Sequence, residues 1–372
     1  MTGGRSEARI DLAAITANTQ RLGELAGSAA LMAVVKADGY GHGLVPSARA
    51  VLDGGAAWLG VAFLEEALAL RAAGIDAPVL AWLFSPQEDL RPAVLAGVDL
   101  GVYDEAELAA AQSAAHATGR TARVHLKVDT GLSRGGARPE AWPDLCTAAG
   151  KADGVDVVGV WSHLAYADGG PDHPVLRQQS ELFAEALQVA ARAGLEPQVR
   201  HLANSAATLT APATHYDLVR PGVSLYGLSP VPQLGSPADF GLRPAMTLAS
   251  TVALTKRVPA GAGVSYLHRY TTDRATTLAL VPLGYADGVP RAGTGVLPVQ
   301  LAGRRRTVAG TVCMDQFVLD VGDDEVAAGD EVLLFGPGDG GEPTAQDWAD
   351  VLGTIDYEIV TRVGARVPRT YG

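Results

Sequence analysis

The stretch Ala33-Val34-Val35-Lys36-Ala37-Asp38-Gly39-Tyr40-Gly41-His42-Gly43 places an amine where an apolar run stops and a glycine-rich loop begins. The chain has four lysines, Lys36, Lys127, Lys151 and Lys256, and only Lys36 pairs a strand end with a loop bearing Tyr40 and His42. A lysine half inside an apolar interior loses hydration, so its ammonium is disfavoured and its pKa falls. Such an amine is a nucleophile able to form a Schiff base with a carbonyl. The plainer alternative is a lysine that snorkels at a strand end. Other polar residues follow apolar runs in the same way: Arg134 in a glycine-rich loop, His163, Asn204 with Ser205, and Arg220 with Gly222. Singly each is weak, since arginine is usually solvated and a lone histidine is usually a core or rim residue. Ser205 opens a helical pattern and Gly222 follows Arg220-Pro221, so backbone N–H groups and a hydroxyl converge on an anion such as phosphate. On its own, Ser205 reads as an N-cap.

These residues need a frame that gathers strand ends. Apolar runs at 31–36, 57–62, 78–83, 98–102, 122–128, 156–162, 199–203 and 216–220 alternate with alanine- and leucine-rich helical patterns, among them Glu65 to Ala73, Asp104 to Ala117 and Pro174 to Ala193. That rhythm of βα units predicts a closed (β/α)8 barrel of the TIM type. A doubly wound sheet is the alternative, and it loses ground because no G-x-G-x-x-G opens the first helix. In a barrel the chemistry lies at the carboxyl ends of the strands, where the polar residues above fall. Period-two alternation puts Arg123, His125, Lys127 and Asp129 on the inner face of one strand and Val124, Leu126 and Val128 on the outer. Lys127 is then a buried amine near Arg134, and a salt bridge to Asp129 or another carboxylate is the simplest compensation.

After Tyr226 comes a Pro- and Gly-rich passage, Leu228 to Pro237, which reads as a linker. The rhythm then changes to short strands over Met246 to Thr255, Thr277 to Val281, Val299 to Ala302, Thr307 to Val312, Gln316 to Val321 and Glu331 to Phe335, with a helix at Thr344 to Leu352. The α/β chain is therefore expected to hold a barrel over residues 1–236 and a mostly β domain over 237–372, with residues 9–12 pairing with the second. Its 372 residues, 48% hydrophobic, suffice for two cores. A formal charge of −12 argues against nucleic acid or an anionic membrane as partner. Two cysteines, Cys146 and Cys313, are too few for a disulfide framework or a usual zinc site, so no metal is expected. The first residues lack an apolar signal core, which leaves a cytoplasmic protein as the expectation.

Ala33 to Gly43 resembles the cofactor-lysine motif of alanine racemases, and so do His201-Leu202-Ala203-Asn204-Ser205-Ala206-Ala207-Thr208 and Arg220-Pro221-Gly222-Val223-Ser224-Leu225-Tyr226-Gly227. Further stretches similar to that family are Gly263-Val264-Ser265-Tyr266, Gly284-Tyr285-Ala286-Asp287-Gly288-Val289-Pro290-Arg291, Cys313-Met314-Asp315-Gln316 and Tyr357 in Gly353 to Glu358. The resemblance implies pyridoxal 5'-phosphate bound to Lys36, with Tyr40, His163, Asn204, Ser205, Arg220, Gly222, Val223 and Tyr357 around it. It implies Lys36 and Tyr266 as the two bases that interconvert L- and D-alanine, the latter made for peptidoglycan. Arg134, Met314, Tyr285 and Arg291 are then the substrate-binding residues. It further implies a homodimer with shared active sites, and, as in some members, a carbamylated Lys127 that orients Arg134. The family commonly has glycine after the catalytic tyrosine, and this chain has Leu267-His268-Arg269. A racemase acting on serine or on several amino acids therefore stays open, as pocket differences are worth only about 1–3 kcal/mol per methylene. A non-catalytic pyridoxal-phosphate carrier predicts neither the second domain nor the opposing tyrosine.

Overall fold

The computed structural model describes residues 4–372. Eight of its strands, β2 (Ala30–Val34), β3 (Trp58–Val61), β4 (Val79–Ala81), β5 (Asp99–Val102), β6 (Ala122–Lys127), β7 (Val155–Trp161), β8 (Val199–His201) and β9 (Leu218–Val219), form one sheet; β1 (Ser6–Ile10) lies elsewhere. The eight pair in parallel, in the order β8-β7-β6-β5-β4-β3-β2-β9. The sheet's ends meet through backbone bonds that flank β8 and β9, from Asp217 N–H to the Arg200 carbonyl (3.1 Å) and from Arg220 N–H to the Ala203 carbonyl (2.9 Å). A parallel sheet is covered on both faces, which accounts for runs such as Leu31-Met32-Ala33-Val34, all buried.

Helices follow the strands where the apolar periodicity put them, at Leu64–Ala72, Glu105–Thr118 and Pro174–Arg192. Their ends follow local chemistry. Asp104 caps the second by accepting Glu107 N–H at 2.8 Å, and Gly119 closes it in the left-handed conformation. Pro174 opens the third at a position where its missing N–H costs nothing. This compact unit comprises Ile15–Gly39 and Leu44–Leu242. The passage 228–237 is not a loose linker: Leu228, Ser229 and Val231 are buried, and Arg21 Nε donates to the Phe240 carbonyl at 3.1 Å. Its prolines and glycines serve packed turns.

The second unit takes Arg243–Gly372 together with Tyr40–Gly43 and the residues up to Ala14. Its strands are β1, β10 (Met246–Thr251), β11 (Leu254–Val258), β12 (Gly263–Val264), β13 (Tyr270–Thr271), β14 (Thr276–Val281), β15 (Pro298–Leu301), β16 (Arg304–Thr307), β17 (Phe317–Gly322), β18 (Glu331–Phe335) and β19 (Arg369–Tyr371). They form sheets of order β16-β15-β18-β10-β1-β19, β11-β14-β17 and β12-β13. In β1, Arg9 and Ile10 stand opposite Thr247 and Met246. The expected strand over Met246 to Thr255 is two strands in different sheets, broken at Val252-Ala253. The expected strand over Thr307 to Val312 is displaced onto β16, an edge strand of three arginines and a threonine. Edge strands carry charge to discourage further pairing, so a search for apolar runs passes over them.

Candidate active site

Lys36 does not end a strand; β2 stops at Val34 and Lys36 opens a tight turn. Ala37, Asp38, Gly39 and Tyr40 all have φ between 52° and 62°. Left-handed backbone costs about 1–2 kcal/mol for each residue with a Cβ. The turn is over-determined by its surroundings: Ala37 N–H donates to Glu66 Oε1 (2.6 Å), Gly39 N–H to the Val35 carbonyl (2.9 Å) and Leu44 N–H to Asp38 Oδ1 (2.7 Å). Glu66 also takes the N–H groups of Ala62 and Phe63, so one carboxylate joins the turn to the start of the next helix. Strain held this way is typical of sites that must aim a side chain. Lys36 is half-buried, with Nζ 5.9 Å from the centre of the Trp82 ring. Burial, and then the charge of Arg134, lowers its pKa, while Glu66 acts in the opposite sense.

Arg220, just past β9, is buried. Its Nη2 donates to the carbonyls of Ser162 (2.7 Å) and Leu202 (3.1 Å) and lies 3.3 Å from His163 Nδ1. Its guanidinium lies 5.1 Å from the centre of the Trp161 ring. Burial pulls the Arg220 pKa down to about 9, which leaves it cationic at neutral pH. Lys127 is the inward residue at the end of β6, with Nζ 4.8 Å from the ring centres of both Tyr103 and Trp161. Burial, then Arg134 and Arg220, brings its pKa to about 8. The expected salt bridge to Asp129 is not formed: Asp129 Oδ1 accepts the N–H groups of Gly131, Leu132 and Ser133 instead. His163 is held well below its ordinary pKa by burial and then by Arg220, Arg134, Lys127 and Lys36. The four cations that act on this imidazole come from three strand ends, with Lys127 and Arg134 both at the end of β6. Among the described residues none of the four is in an ion pair.

Across the same rim, Asn204 caps the helix Ser205–Thr210 by accepting Ala207 N–H at 3.0 Å, so the N-cap is Asn204 and not Ser205. Ser205 is freed for another role, and its Oγ accepts Gly222 N–H at 2.8 Å. That bond ties the two glycine- and hydroxyl-bearing stretches together. Val223 is buried behind them at the start of a short turn.

The β-rich unit gathers its own set. The rings of Tyr40 and Tyr357 lie 6.3 Å apart. The loop 311–314 joins the others: Thr311 Oγ1 donates to the Tyr266 carbonyl (2.7 Å), Ser265 Oγ to the Thr311 carbonyl (2.7 Å), and Tyr285 N–H to the Cys313 carbonyl (3.1 Å). Thr294 accepts Val312 N–H at 3.1 Å and donates to the Arg291 carbonyl, which brings in the fourth residue. Tyr266 (70%), Leu267 (76%) and Met314 (52%) are strongly exposed.

A family model described as alanine racemase, N-terminal domain, matches residues 10–230, and one described as alanine racemase, C-terminal domain, matches 245–371. The chain belongs to the alanine racemase family. An alanine racemase of Frankia casuarinae is 65% identical over 99% of this chain and 96% of that protein, and one of Thermobifida fusca is 61% identical over 98% of each. The crystal structure of alanine racemase from D-cycloserine-producing Streptomyces lavendulae superposes with a TM-score of 0.98 at 53% identity, covering 100% of this chain and 98% of the other. The chain is accordingly an isomerase, an amino-acid racemase with a barrel and a mostly β domain.

Several residues of this racemase site escape a reading of the sequence. Glu66 is visible there only as an acidic residue in a helix's first turn, and nothing local tells that it clamps the lysine turn. Trp82, Tyr103 and Trp161 look like ordinary core aromatics, yet Tyr103 hydroxyl donates to the Trp82 carbonyl and Trp161 lies against two cations.

Proposed function

We propose that the barrel cations hold pyridoxal 5'-phosphate on Lys36 and that the enzyme interconverts L- and D-alanine with two bases. The observation that carries this reading is the buried Arg220 touching His163 and lying with Lys127 against the Trp161 ring, beside the half-buried amine of Lys36, in a chain of net charge −12. Such a cluster calls for an anion, and the donor set fits this one: a depressed lysine amine for the aldehyde, the Ser205 hydroxyl, whose oxygen is held by Gly222 N–H, for the phosphate, and a buried arginine for the ring. When bound, the cofactor supplies an electron sink for the charge left at Cα. Arg220, held charged, would meet the ring nitrogen and discourage its protonation, which would favour return of the proton to Cα. That favours racemisation over transamination.

Lys36 takes or returns the α-proton on one face, leading from D-alanine. Tyr266 of a second copy of the chain serves the other face, since its exposure suits a side chain presented to a neighbour. Cations such as Arg134 and Arg291 share in stabilising its phenolate. Met314 N–H and Arg134 meet the substrate carboxylate, with Tyr285 beside them. Tyr40 and Tyr357 stand on the phosphate side with Asn204 and Val223. Lys127 is carbamylated in this reading, R–NH2 + CO2 → R–NH–COO⁻ + H⁺, and the new anion orients Arg134. The enzyme is a cytoplasmic homodimer that supplies D-alanine for peptidoglycan. Leu267-His268-Arg269 beside Tyr266 favours a second reading in which serine or several amino acids are also accepted.

Chiral chromatography of products from L-alanine, L-serine and a panel of other amino acids tests the choice. Alanine should equilibrate to equal amounts of both enantiomers much faster than any other substrate. Faster turnover of serine would move the assignment to the second reading, and no turnover of any would reject both.

A further inference from the structure

The barrel below Arg220 holds a line of polar side chains where branched aliphatic residues usually fill the layers. Arg220 Nη1 lies 3.3 Å from His201 Nδ1, His201 Nε2 lies 2.9 Å from His125 Nδ1, and His125 Nε2 lies 3.3 Å from Asp99 Oδ2. Both histidines and Asp99 are at most 1% exposed. At the far end, Arg123 Nε donates to Asp99 Oδ1 at 2.6 Å. The three side chains come from β8, β6 and β5, which are not all neighbours, and the contact between the histidines passes over β7. There Gly159 stands opposite His125, and a Cβ on it would lie 2.2 Å from His125 Nδ1.

The protons on this line have one arrangement. A guanidinium only donates, so His201 Nδ1 must accept. His201 then carries its proton on Nε2 and donates to His125 Nδ1. His125 in turn carries its proton on Nε2 and donates to the Asp99 carboxylate. Every bond points from the arginine toward the aspartate. Hydrogen bonds aligned head to tail in a low-dielectric interior polarise one another, so the carboxylate's charge makes His201 Nδ1 a stronger acceptor. Burial keeps His201 neutral, in accord with its lowered pKa.

We propose that Asp99, His125 and His201 form a one-way relay that carries the charge of Asp99 up the barrel to Arg220 and holds its guanidinium charged and oriented. They are positioning residues. The catalytic consequence rests on the reading of Arg220 as the partner of the cofactor ring; the proton positions do not. Arg123 fixes the carboxylate at the far end through its Nε–H bond to Asp99 Oδ1, where it is within reach of solvent.

The test is ring-15N NMR of the protein as isolated, labelled at its eight histidines, together with two substitutions of His125. His125 and His201 should both show unprotonated Nδ1 and protonated Nε2. His125→Gln keeps an acceptor and a donor in the same order, whereas His125→Phe keeps only bulk and apolar character. A relay predicts that Gln preserves the His201 signals and most of kcat, while Phe shifts those signals and lowers kcat about tenfold or more with KM little changed. Core packing alone predicts the opposite ranking. A doubly protonated ring, a proton on His201 Nδ1, or a Phe variant as active as the Gln variant would overturn the relay. If His125→Phe does not fold, Asp99→Asn carries the same comparison, and unchanged His201 signals with unchanged kcat would overturn it. Should alanine not be a substrate at all, the ring signals still decide the proton positions.

Discussion

Lys127 has the harder problem among the buried amines, because two aromatic rings and two arginines surround it and Asp129 is engaged elsewhere. A pKa near 8 instead of 10.5 leaves a substantial neutral fraction near neutrality, and that fraction grows as pH rises through 8. Only the neutral amine adds carbon dioxide. Carbamate occupancy should therefore rise between about pH 6 and about pH 8, where an ordinary lysine with a pKa of about 10.4 would remain protonated. 13C NMR with labelled bicarbonate should show one bound carbamate that Lys127→Ala lacks. That variant should lose most of its activity and regain part of it with a small carboxylate such as acetate. Undiminished activity in Lys127→Ala, or an unmodified amine at Lys127, would remove the carbamate.

At the scale of elements, the left-handed turn Lys36–Tyr40 governs where the amine points, and its two supports are separable. Gly39→Ala would bring a Cβ to 2.6 Å from Ser47 Oγ at a φ of +62°, adding a clash to an unfavourable backbone. We expect a loss of about 1–3 kcal/mol in urea denaturation. Glu66→Ala leaves the N–H groups of Ala37, Ala62 and Phe63 without their acceptor, and should cost a similar amount, about 1–3 kcal/mol. If both variants matched the wild type in stability and activity, the turn would not be what holds Lys36. This element was not legible as such: Ala-Asp-Gly-Tyr after a lysine announces a loop, but four consecutive left-handed residues, three of them bearing a Cβ, contradict local preference. Glu66, twenty-nine positions from Ala37, is the support that no local reading of the sequence could supply. The barrel strands were legible because burial on both faces writes itself as apolar runs, as in Leu31 to Val35. Arg304–Thr307 was not, because an edge strand answers to solvent on one side. The cations of the rim could be read one by one; the aromatic walls of Trp82, Tyr103 and Trp161 could not, since a core tryptophan and one beside a charge look alike in sequence.

At the scale of the whole molecule, Tyr266 and Met314 are exposed in the β-rich unit, while Lys36 and Arg220 belong to the barrel unit. A homodimer with shared sites predicts complementation. Lys36→Ala and Tyr266→Phe should each be nearly inactive, and exchange of their subunits should restore activity to a hybrid in which one site has both native bases. Hybrid formation must be followed separately, by differently tagged subunits. Hybrids that form and stay inactive would place both bases within one chain.

The most direct measurement is borohydride reduction of the protein as isolated, which the account predicts to be yellow, followed by peptide mapping. Reduction should abolish the absorbance and leave one pyridoxyl group on the peptide containing Lys36. Label on Lys127, Lys151 or Lys256, or no label at all, would contradict the assignment of Lys36 as the residue that holds the cofactor.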